Sequence, residues 1–279
     1  TTLGGRFQIV DVYPYSFREY LDANGVVLSA DWQYSTIEKS EVLRYFREYF
    51  VYGGLPEMLN FRQKRSMLSE LYQKIYLGDI CQRNTIRNSK VLNLTIKKLA
   101  ESVKQPISFN RLKNVVVSTG CQTTIPTVID YTNYAEDAWL LLPIENELAK
   151  LAEKESNKKY YFVDNGILNL FLIDDDTSLL ENLVAIHLCR LYGRENVSYY
   201  NAGKEIDFVV NEERLAIQVC YSIVDSATYE REVTPLLQFA TTHPDWRLLI
   251  ITYDETSTIE QSAHTITVQP VWQWMLEEK

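Results

Sequence analysis

The chain has 279 residues, of which 46% are hydrophobic and 23% charged, and its net charge is −9. This length is long for one core and comfortable for two or three small ones, and the composition is that of an ordinary soluble protein. No apolar run reaches the roughly 18 residues that a membrane span needs, so we expect no membrane partner. The four scattered cysteines form no CxxC pair, which argues against a zinc site and favours a reducing, cytoplasmic location.

The first residues predict a strand, FQIVDVY, over residues 7–13. A strand needs neighbours to satisfy its backbone groups, so one at this position suggests that something upstream is missing. Ser16 then precedes a helix that begins FREYL, and Glu19 follows three residues later. This spacing is typical of a capping box.

Apolar residues recur at helical spacing between about Ser35 and Lys104. The first helix of this region ends at the glycine pair of YGGLP. Its apolar stripe comprises Val42, Leu43, Phe46 and Phe50. Two further amphipathic segments follow, SMLSELYQKIYLGDICQR and KVLNLTIKKLAESVK.

Charge is unevenly distributed along the chain. Residues 57–113 carry 12 Lys and Arg against 4 Asp and Glu, whereas residues 161–279 have a net charge of −12. A polyanion would be drawn to the first segment and repelled by the second. The alternative is a solvated helical face that happens to be basic. The candidate nucleic-acid-binding residues are Arg62, Lys64, Arg65, Arg83, Arg87, Lys90, Lys97 and Lys98.

The segment that follows has the pattern of a winged helix-turn-helix. SFNRLKNVV predicts a first helix with Ser108 as its cap, and TTIPTVIDYTNYAEDA predicts a second, followed by a wing strand in WLLLPI. The second helix carries Asp130, Glu136 and Asp137 but no Lys or Arg, although phosphate contacts dominate DNA affinity. We therefore favour a structural or interdomain role, with any DNA contact falling to the basic helices before it.

From Lys159 onward the sequence predicts alternating helices and strands, the pattern of a nuclease-type α/β core. The helix is SLLENLVAIHLCRLYG, and VSYYN, EIDFVV and LAIQVCYS are strands. A second helix and the strand WRLLIITY complete the pattern. We expect WRLLIITY to be the final strand of the sheet, with a solvated acidic turn at Asp254 and Glu255 after it.

The hairpin KEIDFVVNEERLAIQVCYS has the layout of a metal-dependent nuclease site. Asp207 stands where the first acid belongs, and Glu181 could add a carboxylate from the preceding helix. Gln218 and Cys220 occupy the positions of the second carboxylate and the lysine. Because an amide and a thiol are poor substitutes for these groups around Mg²⁺, we predict a degenerate site that does not cleave. Weak activity with replacement residues and a misread register are the alternatives.

Five motifs in order carry a resemblance that covers nearly the whole chain. They are GRF…VYPYSFREYL, YGGLPEML, YLGDICQRN, YYFVDNGILNLF…ENLVAIHL, and EIDFVV…AIQVCYS. The chain resembles a family of predicted prokaryotic ATPases with an N-terminal AAA-type P-loop domain. Their C-terminal domain, of unknown function, is related to the PD-(D/E)XK nucleases.

The resemblance implies ATP and Mg²⁺ as cofactors of a full-length member, and a possible homo-oligomer through the ATPase domain. This sequence contains no Walker A motif, so we expect no cofactor in this chain itself. Arg6 would match the family's GR near the end of the ATPase domain. It could act as an arginine finger on a neighbouring subunit or form a surface salt bridge.

These patterns predict an α+β multidomain fold. Residues 1–52 would be the remnant of the ATPase domain and the start of its helical lid, 53–104 a helical lid or linker, 105–158 the winged helix, and 159–279 the nuclease-like domain. The expected function is that of a regulatory or interaction region that contacts DNA or another protein without cleaving. The alternatives are a Mg²⁺-dependent nuclease and a non-enzymatic DNA-binding protein that uses the basic segment.

Overall fold

The computed structural model describes residues 10–261 and 263–277, and helices make up most of the first half of this range. The α-helices are α1 (Phe17–Ala23), α2 (Thr36–Tyr52), α3 (Lys64–Lys74), α4 (Ser89–Glu101), α5 (Phe109–Ser118), α6 (Ile125–Asp137), α7 (Leu151–Ser156), α8 (Asn165–Asn169), α9 (Asp176–Tyr192), α10 (Ser226–Thr242) and α11 (Val271–Glu277). A π-helix, Ile75–Gln82, follows α3 directly. Three short 3-10 turns lie at Trp32–Tyr34, Pro56–Asn60 and Arg194–Asn196.

The strands of the described residues form one mixed sheet in the order β1-β3-β2-β4-β5-β6-β7-β9-β8. They are β1 (Ile107–Ser108), β2 (Leu141–Asn146), β3 (Asn157–Phe162), β4 (Val197–Asn201), β5 (Glu205–Val210), β6 (Leu215–Val219), β7 (Arg247–Thr252), β8 (Ser257–Gln261) and β9 (His264–Pro270). The central β6 pairs antiparallel with β5 and parallel with β7. All five residues of β6 are buried, as expected of a strand covered on both faces. The protein is therefore a mixed α/β fold, consistent with the predicted α+β class.

The N-terminal predictions have mixed outcomes. The capping box is confirmed: Glu19 N donates to Ser16 Oγ (3.2 Å), and Ser16 N donates to Glu19 Oε2 (2.8 Å). The predicted strand is wrong over residues 10–13, which pair with no described strand and leave Val10 and Val12 exposed. The rest of that strand and Arg6 lie outside the described residues.

The helical predictions for the middle of the chain hold with one difference. In α2 the stripe residues Val42, Phe46 and Phe50 are buried, Leu43 is half-buried, and Gly53 ends the helix with a φ of 76°. The second predicted helix is divided into α3 and the π-helix. The helices α5 and α6 lie where the winged-helix pattern predicts them, and the winged-helix interpretation stays a prediction.

The predicted boundary between residues 158 and 159 falls inside β3. This strand pairs with β2 of the preceding segment, and β2 in turn pairs with β4. One cluster of buried apolar residues extends from Phe17 to Leu276, and a second packs α10 against the sheet. Buried residues of all four predicted segments therefore belong to one core cluster.

The expectation that β7 ends the sheet is wrong, since β9 pairs with β7 and β8 pairs with β9. The acidic turn after β7 is also bonded within the protein. Glu255 accepts hydrogen bonds from Ser222 Oγ (2.6 Å) and Ile223 N (2.8 Å), and Asp254 accepts one from Trp272 Nε1 (3.2 Å). This turn therefore ties the end of β6 and the start of α11 to β7.

A buried carboxylate joins α2 to α8. Asp164 accepts hydrogen bonds from Gly54 N (2.8 Å) and Ile167 N (3.1 Å). A Cβ at Gly53 would lie 2.1 Å from an Asp164 oxygen, so this close approach requires glycine. Burial raises the pKa of Asp164 to about 6 although backbone donors oppose the shift.

Asparagine side chains extend this junction. Asn165 Nδ2 donates to Phe50 O and to Leu179 O, both at 3.0 Å, and Asn169 Nδ2 donates to Val51 O at 3.0 Å. The carbonyl groups at the C-terminal end of a helix have no partners within it. The α8 side chains satisfy two of those of α2 and so fix the helical region against the sheet.

We expect Asp164→Ala to lower the free energy of unfolding by about 2–4 kcal/mol, because it leaves buried backbone donors without an acceptor. Urea denaturation followed by circular dichroism measures this loss. The control is Asp130→Ala, which removes an exposed aspartate from α6. Equal stability of the two variants would contradict a structural role for the Asp164 junction.

Candidate functional site

A cleft of about 690 Å³ opens between the end of the helical region and the C-terminal half of the sheet. One wall is formed by Lys104 and Gln105, which follow α4, and the other walls come from α9, β5, β6 and α10. Its acidic side chains are Glu181, Glu205, Asp207, Glu230 and Glu232. The cleft therefore collects carboxylates from three separate elements, α9, β5 and α10.

The structure brings together the four residues that the sequence singled out as a nuclease-site remnant. Glu181 from α9, Asp207 from β5, Gln218 from β6 and Cys220 immediately after β6 all line this cleft. The hairpin β5–β6 pairs Phe208 with Ile217, which places Asp207 beside Gln218 in the adjoining register. The cleft also contains a lysine and further carboxylates that the sequence patterns did not predict.

The main correction concerns the lysine. The sequence suggested that the site lacks one, but Lys159 on β3 supplies an ammonium group from a distant part of the chain. Its Nζ lies 2.8 Å from Glu205 Oε1, 3.1 Å from Glu181 Oε1 and 3.4 Å from Asp207 Oδ1. The Lys159 side chain has an exposed fraction of 0%. A buried ammonium thus contacts three carboxylates, where at most two had been expected.

Tyr161 completes this cluster. It lies two residues beyond Lys159 on the same face of β3, and its hydroxyl donates to Glu181 Oε1 at 2.8 Å. Tyr199 covers the ammonium from β4, with its ring centre 5.6 Å from Lys159 Nζ. The lysine is therefore surrounded by anions, a hydroxyl and an aromatic face.

The pKa shifts follow from this crowding. Burial by itself lowers the pKa of Lys159, but Glu181, Tyr161, Asp207 and Glu205 outweigh it and raise the pKa well above its ordinary value. Burial, followed by the charge of Asp207, raises the pKa of Glu181 to about 7, although Lys159 opposes the shift. One ammonium cannot neutralise three carboxylates. Lys159 therefore stays charged while Glu181 takes up a proton near neutral pH.

The side chain of Gln218 on β6 forms two hydrogen bonds to the backbone of β5. Its Oε1 accepts from Asp207 N (2.9 Å), and its Nε2 donates to Glu205 O (3.2 Å). The second oxygen of Asp207 accepts from Val219 N at 2.9 Å. These bonds continue the pairing of β5 and β6 by side chains. The amide of Gln218 and both oxygens of Asp207 are thereby engaged within the protein.

Cys220 is an inert thiol in this setting. It is 5% exposed, and burial followed by the charge of Glu232 raises its pKa to about 12. A reactive cysteine needs its thiolate form near neutral pH, which this environment opposes.

Glu232 is a cleft residue that the sequence patterns did not reveal. It is buried on α10, and its Oε1 accepts from Arg231 Nε at 2.7 Å. Burial, followed by the charge of Asp207, raises its pKa to about 7. A charged residue on the apolar stripe of a helix, beside Val233 and Leu236, is the sequence signal that could have pointed to it.

The sequence patterns do not reveal Lys159 either. It precedes the apolar run YYFV, and its neighbour Lys158 is identical in type but pairs with Glu145 outside the cleft. Strand alternation places the two lysines on opposite faces of β3, but Tyr160 and Tyr161 are both buried, so the local pattern does not tell which lysine faces the cleft.

The residues in the cleft do not fit Mg²⁺ as they stand. Mg²⁺ requires oxygen ligands that are free to complete an octahedral shell. Here the oxygens of Asp207 and Gln218 are already bonded, and an ammonium lies among the carboxylates. Among residues 10–261 and 263–277, no three or more His, Cys, Asp or Glu side chains form a group that could hold a metal ion.

The eight basic residues predicted to contact nucleic acid lie on α3 and α4 or in the segments that flank them. Lys64 and Lys98 are half-buried and paired, Lys64 with Glu48 and Lys98 with Glu101. The other six are exposed, namely Arg62, Arg65, Arg83, Arg87, Lys90 and Lys97. None of the eight lines the carboxylate cleft.

No helix in the described part of the chain is long and apolar enough to cross a bilayer.

Comparison with known proteins gives relatives whose functions are unknown. A family model described as a domain of unknown function (DUF8612) matches residues 43–178, just under half of the chain. The chain is 29% identical over 295 residues to the uncharacterized protein MJ1544 of Methanocaldococcus jannaschii, covering 99% of this chain and 65% of that relative. It is also 29% identical over 240 residues to an uncharacterized protein of Haemophilus influenzae, covering 83% of this chain and 57% of that protein. The chain thus spans less than two thirds of the length of either relative.

The raised pKa of Glu181 makes a testable contribution to stability. Its folded-state pKa of about 7 exceeds the ordinary value of 4.5, so the folded protein binds the proton more tightly than the unfolded chain. This contribution is complete below pH 4.5 and is lost as the pH rises towards 7. We expect the unfolding free energy of the wild type, relative to Glu181→Gln, to fall over this range by on the order of 2–3 kcal/mol.

Urea denaturation at a series of pH values measures this difference. Glu260→Gln, at an exposed position of β8, is the control for removing a glutamate elsewhere. If the difference in unfolding free energy between the wild type and Glu181→Gln stayed constant from pH 4.5 to 7.5, the pKa of Glu181 would not be raised in the folded protein.

Proposed function

We propose that this chain is a regulatory and interaction region of an AAA-type ATPase and that its nuclease-like lobe contacts DNA or a partner protein without cleaving. The carboxylate cleft is the remnant of a cleavage site. In this proposal its side chains hold the strands and α9 together instead of activating water.

The observation that carries the non-cleaving assignment is the bonding within the cleft. Asp207 gives one oxygen to Lys159 and the other to Val219 N, and the amide of Gln218 is bonded at both ends to β5. A group that is already bonded in the folded state must lose those bonds before it can bind a metal ion, which costs free energy. This bonding supports a structural role for the residues at the two central positions of the motif.

The ATPase part of the proposal rests on the resemblance in the five motifs. Both relatives are longer than the part that matches this chain, which covers only 65% and 57% of their lengths, so each contains a further region. ATP, Mg²⁺ and a homo-oligomer belong to the full-length protein in this proposal, and no residue of the described chain is assigned to them.

A Mg²⁺-dependent nuclease is the second candidate, and Lys159 is the observation that favours it. The sequence has Cys220 where the catalytic lysine of such a site would stand, and Lys159 brings an ammonium to within 3.4 Å of Asp207 from another strand. In this candidate, the lysine of β3 takes the role of the one that is missing from β6.

A plasmid-nicking assay distinguishes the two candidates. We expect the wild type, supplied with Mg²⁺ or Mn²⁺, to produce no more nicked plasmid than buffer alone, because the cleft carboxylates are engaged. Asp207→Ala is assayed beside it. Nicking by the wild type that disappears in Asp207→Ala would establish the nuclease, and nicking that survives would indicate a contaminating activity.

A non-enzymatic DNA-binding protein is the third candidate, favoured by the six exposed basic residues on and around α3 and α4. In this candidate DNA meets the basic segment, because the cleft itself is lined by carboxylates that repel phosphate.

Fluorescence anisotropy with labelled DNA over a range of salt concentrations tests this candidate. Replacing Arg83, Arg87 and Lys90 together by alanine should weaken binding and reduce the salt slope by up to about 3, because each of these side chains would neutralise one phosphate. The control replaces Arg44, Lys150 and Arg214, which are exposed and lie outside the segment. Binding that does not depend on salt, or equal weakening in both triple variants, would dismiss a DNA contact through this segment.

A further inference from the structure

The carboxylate cluster has the composition of a cation site, and an ammonium already lies within it. We infer that Lys159 takes the place of a divalent cation among Glu181, Glu205 and Asp207 and thereby excludes metal ions from the cleft. This inference rests on the proposed function and gives it a cause. The lobe does not cleave because its own side chain occupies the position of the metal.

The geometry of the ammonium is the first argument. The three carboxylate oxygens come from α9 and β5, yet all lie between 2.8 and 3.4 Å from one nitrogen atom of β3. A divalent ion binds oxygen ligands at roughly 2.0–2.6 Å, so it could take this point only after the ammonium has left and the carboxylates have moved closer together. A metal ion and the ammonium therefore cannot both occupy the cluster.

The balance of charge is the second argument. The three carboxylates within 3.4 Å of Lys159 Nζ outnumber the single ammonium, so two negative charges have no counter-charge within the cluster. A divalent ion would compensate the same carboxylates more completely than one ammonium does. Removing the lysine should therefore create an affinity for divalent ions that the natural protein lacks.

The covalent tether is the third argument. Lys159 is held in a strand of the continuous sheet, and its side chain is wholly buried beneath the ring of Tyr199. A tethered ammonium has a high effective concentration at the cluster, whereas a metal ion must come from dilute solution. The free ion is thus at a disadvantage even though its charge is larger.

The test is a titration of the whole chain with Mn²⁺. Electron paramagnetic resonance measures binding as the loss of the signal of the free ion. We expect Lys159→Met to bind about one Mn²⁺ per chain and at least roughly tenfold more tightly than the wild type. Lys158→Met is the matched control, because it removes the adjacent lysine, whose partners Glu145 and Glu155 lie outside the cleft. It should bind Mn²⁺ no better than the wild type.

Thermal unfolding gives a second readout that does not depend on activity. Without metal, Lys159→Met leaves buried carboxylates uncompensated and should unfold at a lower temperature than the wild type. Added Mn²⁺ should raise the unfolding temperature of Lys159→Met and leave that of the wild type unchanged, because a ligand stabilises the state that binds it. Lys159→Met combined with Glu205→Gln carries one negative charge fewer and serves as a second variant if the first folds poorly.

Four results would overturn the inference. The first is Mn²⁺ binding by the wild type as tight as that by Lys159→Met, and the second is no increase in Mn²⁺ binding by Lys159→Met or by Lys159→Met combined with Glu205→Gln. The third is failure of Mn²⁺ to restore folding to those two variants if they are unfolded without it. The fourth is an increase in binding that persists when Asp207→Asn is added to Lys159→Met. Each leaves the nicking assay unaffected. Plasmid cleavage by the wild type, conversely, would refute the proposed function without deciding which groups bind Mn²⁺ in the variants.

Discussion

The ammonium of Lys159, buried among three carboxylates, is the interaction on which the cleft depends. Placing a charge in a poorly solvated region costs several kcal/mol per ion, and the cost is recovered only if its partners are close and well oriented. Here the partners come from α9 and β5, while the lysine comes from β3. One cluster of charges therefore joins the three elements, and the loss of Lys159 leaves all three carboxylates without a counter-charge.

The same principle governs the junction between α2 and α8. Asp164, Asn165 and Asn169 supply the hydrogen-bond partners that the end of α2 and the Gly53–Gly54 turn lack. The helical region is thus attached to the sheet by directional bonds as well as by apolar contact. Movement of α2 relative to α8 would have to break several buried hydrogen bonds at once.

Residues 218 and 220 each have a structural role in the folded protein. At residue 218 a carboxylate could bind a metal, but it could not donate a hydrogen bond to Glu205 O. Glutamine can do so, and its amide joins the strands where their ladder ends. At residue 220 an exposed lysine would add a charge, whereas the buried cysteine packs with the apolar residues beneath α10. Gln218 thus contributes hydrogen bonds and Cys220 contributes packing.

Local patterns in the sequence predicted most of the elements correctly. The capping box at Ser16, the stripe of α2, the helix α9 and the hairpin β5–β6 all depend on interactions between residues close in the chain, which a periodic pattern or a cap records directly. The same hairpin pattern brought Asp207, Gln218 and Cys220 to notice. The strand predicted over residues 7–13 failed in its described part because a strand is stable only with a partner, and a local pattern does not show whether a partner exists.

The sequence by itself determined the α-helical first half, the α/β second half and the absence of a second carboxylate and a lysine from the β6 motif. Only the tertiary structure decided that Lys159 lies among the carboxylates, that Glu205 and Glu232 join the cleft, and that β2 and β3 connect residues 105–158 to the rest of the sheet. The reason is physical. Helix periods and caps are short-range, but a buried ion cluster is formed by side chains 22 to 48 residues apart, and their approach depends on how the whole sheet assembles.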